Sequence, residues 1–360
     1  LNSHQSEITG LHFTRFIAAF CVVAYHYGKS VVPFSEGLLH TFIQNGGMAV
    51  SYFFALSGFI MTYAYHSNKE VSYKSFLWSR IARIYPVYLV SFLLVLLFMY
   101  LFKESKPKGI SIILQALCMQ AWKPGISMEI NYVSWSISVE MLFYLLFPFI
   151  INYWQKKSIN TILFQSILLW LCSLTVHVWM VKNISSPERF NVGQLIAFFP
   201  PWHFNTFVLG AASAIIYVQK LKSWSAHNWL SLALIALSSI LIYFFFIVQP
   251  ISLGYLTNGG IVPIFLILIV GISLNTGNIK KLLSFKPLIW LGEISYGFYL
   301  WQFFIYLFFE KYLISSSAGM PTLMFYLYIL TLLLCAALSY HLLELPLRRF
   351  IKNRFVVQRI

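Results

Sequence analysis

Several stretches of this chain, Ile81–Phe102 and Trp229–Val248 among them, run for about 20 predominantly apolar residues, the length an α-helix needs to cross the hydrocarbon core of a bilayer. Of 360 residues, 59% are hydrophobic and 10% charged, against about 25% charged in an ordinary soluble domain. A water-soluble core could not hide that much apolar surface, and no stretch is left for a separate soluble domain. The pattern predicts an all-α polytopic membrane protein of about ten transmembrane helices, near residues 11–28, 46–65, 84–102, 133–154, 160–182, 204–219, 229–248, 259–276, 288–309 and 322–343. Residues 1–350 read as one membrane-embedded domain and 351–360 as a basic cytoplasmic tail. The segment 110–121 is apolar but short, and is expected to be re-entrant or interfacial rather than a crossing. The first span lacks a basic leader and a small-residue cleavage site, so it reads as a retained signal anchor.

Charge sets the expected orientation. With the N-terminus inside, seventeen of the 25 Lys and Arg fall on the cytoplasmic side, including Arg348, Arg349, Lys352, Arg354 and Arg359 of the tail, and eight fall opposite. This asymmetry places both termini in the cytoplasm, and an eleventh span at 110–121 would put the Arg-rich tail outside. The net charge of +15 is therefore a topology signal and does not point to nucleic acid. All ten acidic residues are Glu. Without Asp there is no Ser-His-Asp triad, no Walker-B aspartate, no Asp-x-Asp metal site and no soluble-type His-x4-Asp acyltransferase motif. Cys21, Cys118, Cys172 and Cys335 lie singly in apolar runs and read as small hydrophobes. The histidines are scattered, so no metal is expected.

Ionisable residues inside the spans carry the chemistry, because each costs about 2.5–3.5 kcal/mol at mid-membrane on insertion scales. Arg15 and His26 lie eleven residues apart on the first helix, hence on one face and roughly 16 Å apart along its axis. Together they look like the lining of a passage; separately they read as a snorkelling anchor and an interhelical hydrogen bond. On the fourth span Ser136 and Glu140 stack one turn apart, and Glu140 falls roughly at the depth of His26, where a carboxylate could orient a catalytic imidazole. A structural hub is the other reading of Glu140. Ahead of the third span, Lys74, Arg80 and Arg83 form a basic run. Arg80 and Arg83 sit one turn apart and could grip phosphates bidentately, or simply mark topology and meet anionic lipid. Gly47, Ser51 and Ala55 form a small-residue stripe suited to close helix packing.

Five ordered motifs carry a family resemblance. They are Leu11-His12-Phe13-Thr14-Arg15 through His26, Gly47 through Gly58-Phe59, Arg80 through Pro86, Trp135-Ser136 through Glu140, and Gly292-Glu293-Ile294-Ser295-Tyr296 through Trp301, closed by Glu344-Leu345-Pro346. Together they resemble acyltransferase family 3 over nearly the whole chain. The resemblance implies a ten-helix bacterial inner-membrane O-acyltransferase that moves an acyl group, acetyl from acetyl-CoA, onto a hydroxyl of a surface or lipid-linked carbohydrate such as O-antigen or capsule. It implies that Arg15 and His26 are the essential pair and that Arg80 and Arg83 handle the donor. Glu140, Glu344 and Tyr296 fall on the family's recurrent positions. Where many relatives end the ninth-helix motif in Trp-His, this chain has Trp301-Gln302, and glutamine cannot relay a proton. No fused domain follows the tenth span, so transfer is expected to finish in this module or with a separate partner.

The expected mechanism has acyl-CoA phosphates on Arg80, Arg83 and Lys74, the thioester arm passing Arg15, and His26, supported by Glu140, deprotonating the sugar hydroxyl. An acyl-histidine intermediate is the alternative route. The competing class is a transporter or flippase of lipid-linked glycans or small acids, in which the same residues would be substrate or proton-coupling sites.

Overall fold

The structure, a computed structural model, describes residues 8–184, 190–226, 228–314 and 321–355. The end of the basic tail, residues 356–360 with Arg359, lies outside the described residues, as does Arg189. Among the described residues there is no strand. The elements are α1 (Gly10–Tyr27), α2 (Gly37–Gln44), α3 (Ala49–Tyr65), α4 (Tyr73–Phe102), α5 (Gly109–Ala116), α6 (Trp135–Trp154), α7 (Ile159–Asn183) and α8 (Phe190–Phe198). They continue with α9 (Pro200–Ile216), α10 (Asn228–Tyr243), α11 (Val262–Leu274), α12 (Asn278–Leu283), α13 (Lys286–Tyr312), α14 (Thr322–Ser339) and α15 (Leu345–Phe355).

Each of the ten expected spans coincides with a helix. Among the described residues, seven stretches are long and apolar enough to cross a membrane: Gly46–Tyr65, Tyr73–Phe102, Tyr132–Trp154, Ile159–Asn183, Phe190–Ser225, Asn228–Val248 and Thr322–Phe355. The other three are α1, α11 and α13; α1 and α13 carry polar residues on their inner faces, and α11 is short. The chain is an all-α polytopic membrane protein. Helix α7 is 11% buried over its most apolar window and the α10 stretch 17%, so both present apolar surface outward, as lipid-facing helices do.

Two boundaries differ from expectation. Helix α4 starts at Tyr73, not near residue 84, so Lys74, Arg80 and Arg83 stand on its first turns and not in a loop. Pro86 lies inside it. A proline forfeits one backbone hydrogen bond, and this helix tolerates that loss within a well-packed bundle. At the other end, α14 passes through a π-turn at Tyr340–Glu344 into α15, so the first residues of the expected tail, 351–355, continue a helix. Phe355 stacks on Trp78 with ring centroids 4.5 Å apart, which ties α15 to the start of α4.

Neighbouring helices report the sense in which the chain crosses. Along α4 and α13, the Tyr296 hydroxyl donates to Ile84 O at 2.8 Å, Ser91 Oγ to Leu300 O at 3.3 Å, and Lys103 pairs with Glu310 at 3.0 Å. Numbers rise together, so these helices are parallel. So are α3 and α9, with Phe54 against His203 and Tyr63 against Tyr217 just beyond α9. Parallel neighbours in one bilayer need an odd number of crossings between them. Five crossings by α6, α7, α9, α10 and α11 between α4 and α13 would meet that requirement, and a further one at 110–121 would break it.

Helix α5 has eight residues, a length of about 12 Å, too short to cross. It does not lie at the interface either. Tyr85 donates to Ala116 O at 2.9 Å and Tyr88 to Gln115 O, so the tip of this segment reaches the middle of α4, about 20 Å from that helix's C-terminal end. The segment is re-entrant. Its side chains satisfy the irregular start of α6: Gln115 Nε2 donates to Ser134 Oγ at 2.5 Å and Gln120 Nε2 to Ser134 O at 2.7 Å. Non-helical backbone at membrane depth persists only with such partners.

The tightest crossing is that of α3 with α9. A Cβ on Gly58 would lie 2.1 Å from Phe207 O, and one on Gly210 would lie 2.0 Å from Ala55 O. The small stripe is thus divided: Ala55 meets α9, whereas Gly47 faces the Tyr25 ring. Gly210→Ala is expected to destabilise the protein by about 1–3 kcal/mol through overpacking, read as a lower Tm in detergent. Gly193→Ala, with nothing within 4 Å, should leave Tm unchanged or slightly raised; equal Tm values for both variants would contradict the close crossing. For topology, a single cysteine at Asn353, exposed on α15, in a background lacking the four native cysteines, should resist an impermeant thiol reagent in intact cells. Efficient labelling there would contradict ten crossings.

Candidate functional site

The first turns of α4, the lower part of α1 and the middles of α3, α6 and α13 enclose a cavity of about 120 Å³. Its polar lining includes Arg15, Arg80, Arg83, Glu140, Tyr144, Ser136, Tyr296 and Tyr299. Phe53, Phe54, Met61 and Ile84 supply the apolar wall. Six of the residues expected from sequence therefore meet in one place, although they come from four helices spread over nearly 300 positions.

Each is held by its own element. The Tyr144 hydroxyl, one turn beyond Glu140 on α6, donates to Glu140 Oε2 at 2.6 Å. Ser136 Oγ meets the Tyr299 hydroxyl at 3.0 Å, and that hydroxyl donates to Val133 O at 2.8 Å. Tyr296 is anchored on Ile84 O. Glu344 is buried behind this layer, in electrostatic reach of Arg83, Arg15 and Arg348. It can approach α13 because Gly297 stands opposite: a Cβ there would lie 3.3 Å from Glu344 Oε1.

Among the described residues, no carboxylate pairs with Arg15, Arg80 or Arg83 at ion-pair distance; the hydrogen bond Arg80 makes is a long one to Ser79 Oγ, 3.4 Å. Three guanidiniums thus face one cavity with donors unspent. Helix α15 brings Lys352 into electrostatic reach of Arg80, Arg83 and Arg348 at the same end of the bundle. In sequence, Arg348 and Lys352 carried only topology; their packing on α4 is a tertiary fact that no local spacing reports. Lys74, by contrast, is exposed on the first turn of α4 and does not line the cavity. It lies six residues before Arg80, about 9 Å along the axis, which corrects its expected place beside the arginine pair.

His26 sits at the other end of α1, half-buried. Its expected support by Glu140 is not what the structure shows. Glu140 belongs to the arginine-lined cavity, and His26 Nδ1 lies 2.9 Å from Gln302 Oε1 on α13. The imidazole is packed among Tyr25, Tyr27 and Tyr132, at centroid distances of 5.2, 5.8 and 5.0 Å. Tyr132 in turn donates to the Tyr27 hydroxyl at 2.8 Å. Cavity and histidine are joined through α13: Tyr299 lines the cavity, and Gln302, one turn on, holds His26. Tyr144, Tyr299 and Gln302 went unread in the sequence as site residues. The first two lay one turn from Glu140 and Tyr296 respectively, and the third stood at the departure from Trp-His.

Among the described residues, no three His, Cys, Asp or Glu side chains gather as a metal site would require. A family model for an acyltransferase domain matches residues 8–340. O-acetyltransferase OatA of Staphylococcus aureus is 26% identical over 95% of this chain and 57% of its own length. Acyltransferase MdmB of Streptomyces mycarofaciens is 26% identical over 83% of this chain and 78% of its own. A protein of Bacillus subtilis named as peptidoglycan O-acetyltransferase YrhL is 24% identical over 99% and 58% respectively. The chain thus spans little more than half the length of OatA and YrhL. No solved structure matches.

Proposed function

The chain belongs to the acyltransferase domain family, and from that premise we propose that it is a bacterial cytoplasmic-membrane O-acyltransferase using acetyl-CoA to acetylate a hydroxyl of a cell-surface or lipid-linked carbohydrate. The observation that carries the reading is the set of three guanidiniums around one cavity with no carboxylate at ion-pair distance among the described residues. Guanidinium forks bind phosphate oxygens bidentately, and a coenzyme with several phosphates answers that charge. The names of the relatives support acetyl as the acyl group and put peptidoglycan beside capsule and O-antigen among acceptors to test.

The cavity is smaller than the 300–1,000 Å³ usual for a whole ligand. The nucleotide therefore stays at the entrance, on Arg80 and Arg83 with Arg348 and Lys352 beside them, while the acyl-bearing arm enters past Arg15, Tyr296 and Tyr299. His26, beyond Tyr299, accepts the proton of the acceptor hydroxyl through its ring nitrogen. The hydroxyl oxygen bonds to the thioester carbonyl carbon, the C–S bond breaks, and the departing thiolate takes the proton back from the imidazolium. Glu140 serves as counter-charge to the arginines and is not the partner of His26.

Arg80→Ala and Arg83→Ala are each expected to weaken acetyl-CoA binding by about 1.5–3 kcal/mol, measured by calorimetry in detergent. Arg80→Lys should recover part of this, because the charge returns without the planar fork. Wild-type affinity in both alanine variants would leave the pair as a topology signal. His26→Gln should keep coenzyme affinity and lose turnover by about 10²–10⁴-fold, scored as release of free CoA in the presence of acceptor. Glu140→Gln should alter donor affinity more than turnover. Acceptor identity is read by mass spectrometry of surface glycans with and without the protein, where an acetyl increment is expected; a transporter would produce neither the increment nor free CoA.

A further inference from the structure

Gln302 is fully buried on α13, and each side of its amide has a partner. Its Nε2 donates to the backbone carbonyl of Tyr299 at 2.6 Å, and its Oε1 faces His26 Nδ1 at 2.9 Å. The Tyr299 carbonyl can only accept, so it must meet the amide NH₂; the opposite orientation would press two carbonyl oxygens together. With the amide so oriented, Oε1 can only accept, and His26 Nδ1 must therefore carry the hydrogen. The Tyr328 hydroxyl donates to the Gln302 backbone carbonyl at 2.9 Å and braces the same turn of α13.

We propose that Gln302 is a positioning residue that holds His26 in the Nδ1–H tautomer, leaving the lone pair on Nε2 as the basic atom. This rests on the reading of His26 as the general base. A histidine of undefined tautomer presents its lone pair on the wrong nitrogen part of the time, and the hydrogen bond to the other nitrogen decides which form is present. The chain's departure from Trp-His is on this account functional: Gln302 relays no proton but fixes where the proton on His26 resides. The carboxylate of Glu140, which the sequence suggested for that task, is occupied elsewhere.

Nitrogen NMR of protein labelled with ¹⁵N-histidine in lipid bilayers tests this directly, with the His26 signals assigned by their loss in His26→Gln. Wild-type His26 is expected as the neutral Nδ1–H form. In Gln302→Met, which keeps volume and removes the acceptor, the Nε2–H form should appear, and turnover should fall about tenfold with donor KM unchanged. Wild-type His26 in the Nε2–H form overturns the proposal whether or not the variant folds, and so does an unchanged tautomer in a folded Gln302→Met. The two layers separate cleanly. An Nε2–H spectrum with an inactive His26→Gln removes the role of Gln302 and keeps the base; an Nδ1–H spectrum with an active His26→Gln removes the base itself.

Discussion

Guanidinium groups inside an apolar bundle dominate the physics of this protein. Arg15, Arg80 and Arg83 share one cavity, and each charge at membrane depth costs about 2.5–3.5 kcal/mol on insertion scales. Two carboxylates, Glu140 and Glu344, stand near enough to moderate that cost through the field, yet neither closes an ion pair with the arginines. The arrangement is a partial neutralisation. It leaves a local excess of positive charge and unspent donors, an arrangement suited to a polyanion. Gly297 belongs to the same logic, because its missing Cβ lets Glu344 come up behind the cluster.

The rest of the fold spans the distance between that charge and His26. Helices α1 and α13 run parallel and in contact, from Phe16 on Phe298 to Tyr27 on Tyr306, and so act as a common ruler through the membrane. Arg15 stands in the first half of α1 and His26 in its last turn, while Tyr296 and Gln302 lie about 9 Å apart along the middle of α13. The re-entrant segment around α5 descends beside them and supplies Gln115 and Gln120 to the broken start of α6. That support lets Ser136 sit in the cavity although the backbone just before it is not regular helix. The tight α3–α9 crossing holds the opposite wall.

Much of this could be read from residue order. The apolar periods located helices at all ten expected stretches, the cost of burying charge singled out Arg15 and Glu140, and one-turn spacing in a basic run singled out Arg80 and Arg83. Ser136 and Tyr296 followed from the motifs. What spacing could not report was pairing between helices. Glu140 and His26 looked matched in depth, but depth along separate helices says nothing about azimuth, and Gln302 took the place beside the imidazole. Lys74 stands outside the cavity for the related reason that a helix carries successive residues away from a site at about 1.5 Å each. The extension of α4 to Tyr73 and of the chain's last helix to Phe355 escaped because polar ends of long helices look like loops. They pack on each other, Trp78 on Phe355, a contact that local spacing does not report.

The central claim of the proposed function is that the donor's phosphates are held at one face of the membrane and its acyl group is delivered to an acceptor that enters from the other. Oriented proteoliposomes test it most directly, with radiolabelled acetyl-CoA supplied only at the face bearing Arg80 and Arg83 and a glycan acceptor supplied only at the face bearing His26. The account expects label on the acceptor, with free CoA left on the donor side. Acylation that occurs only when donor and acceptor share one compartment would contradict it.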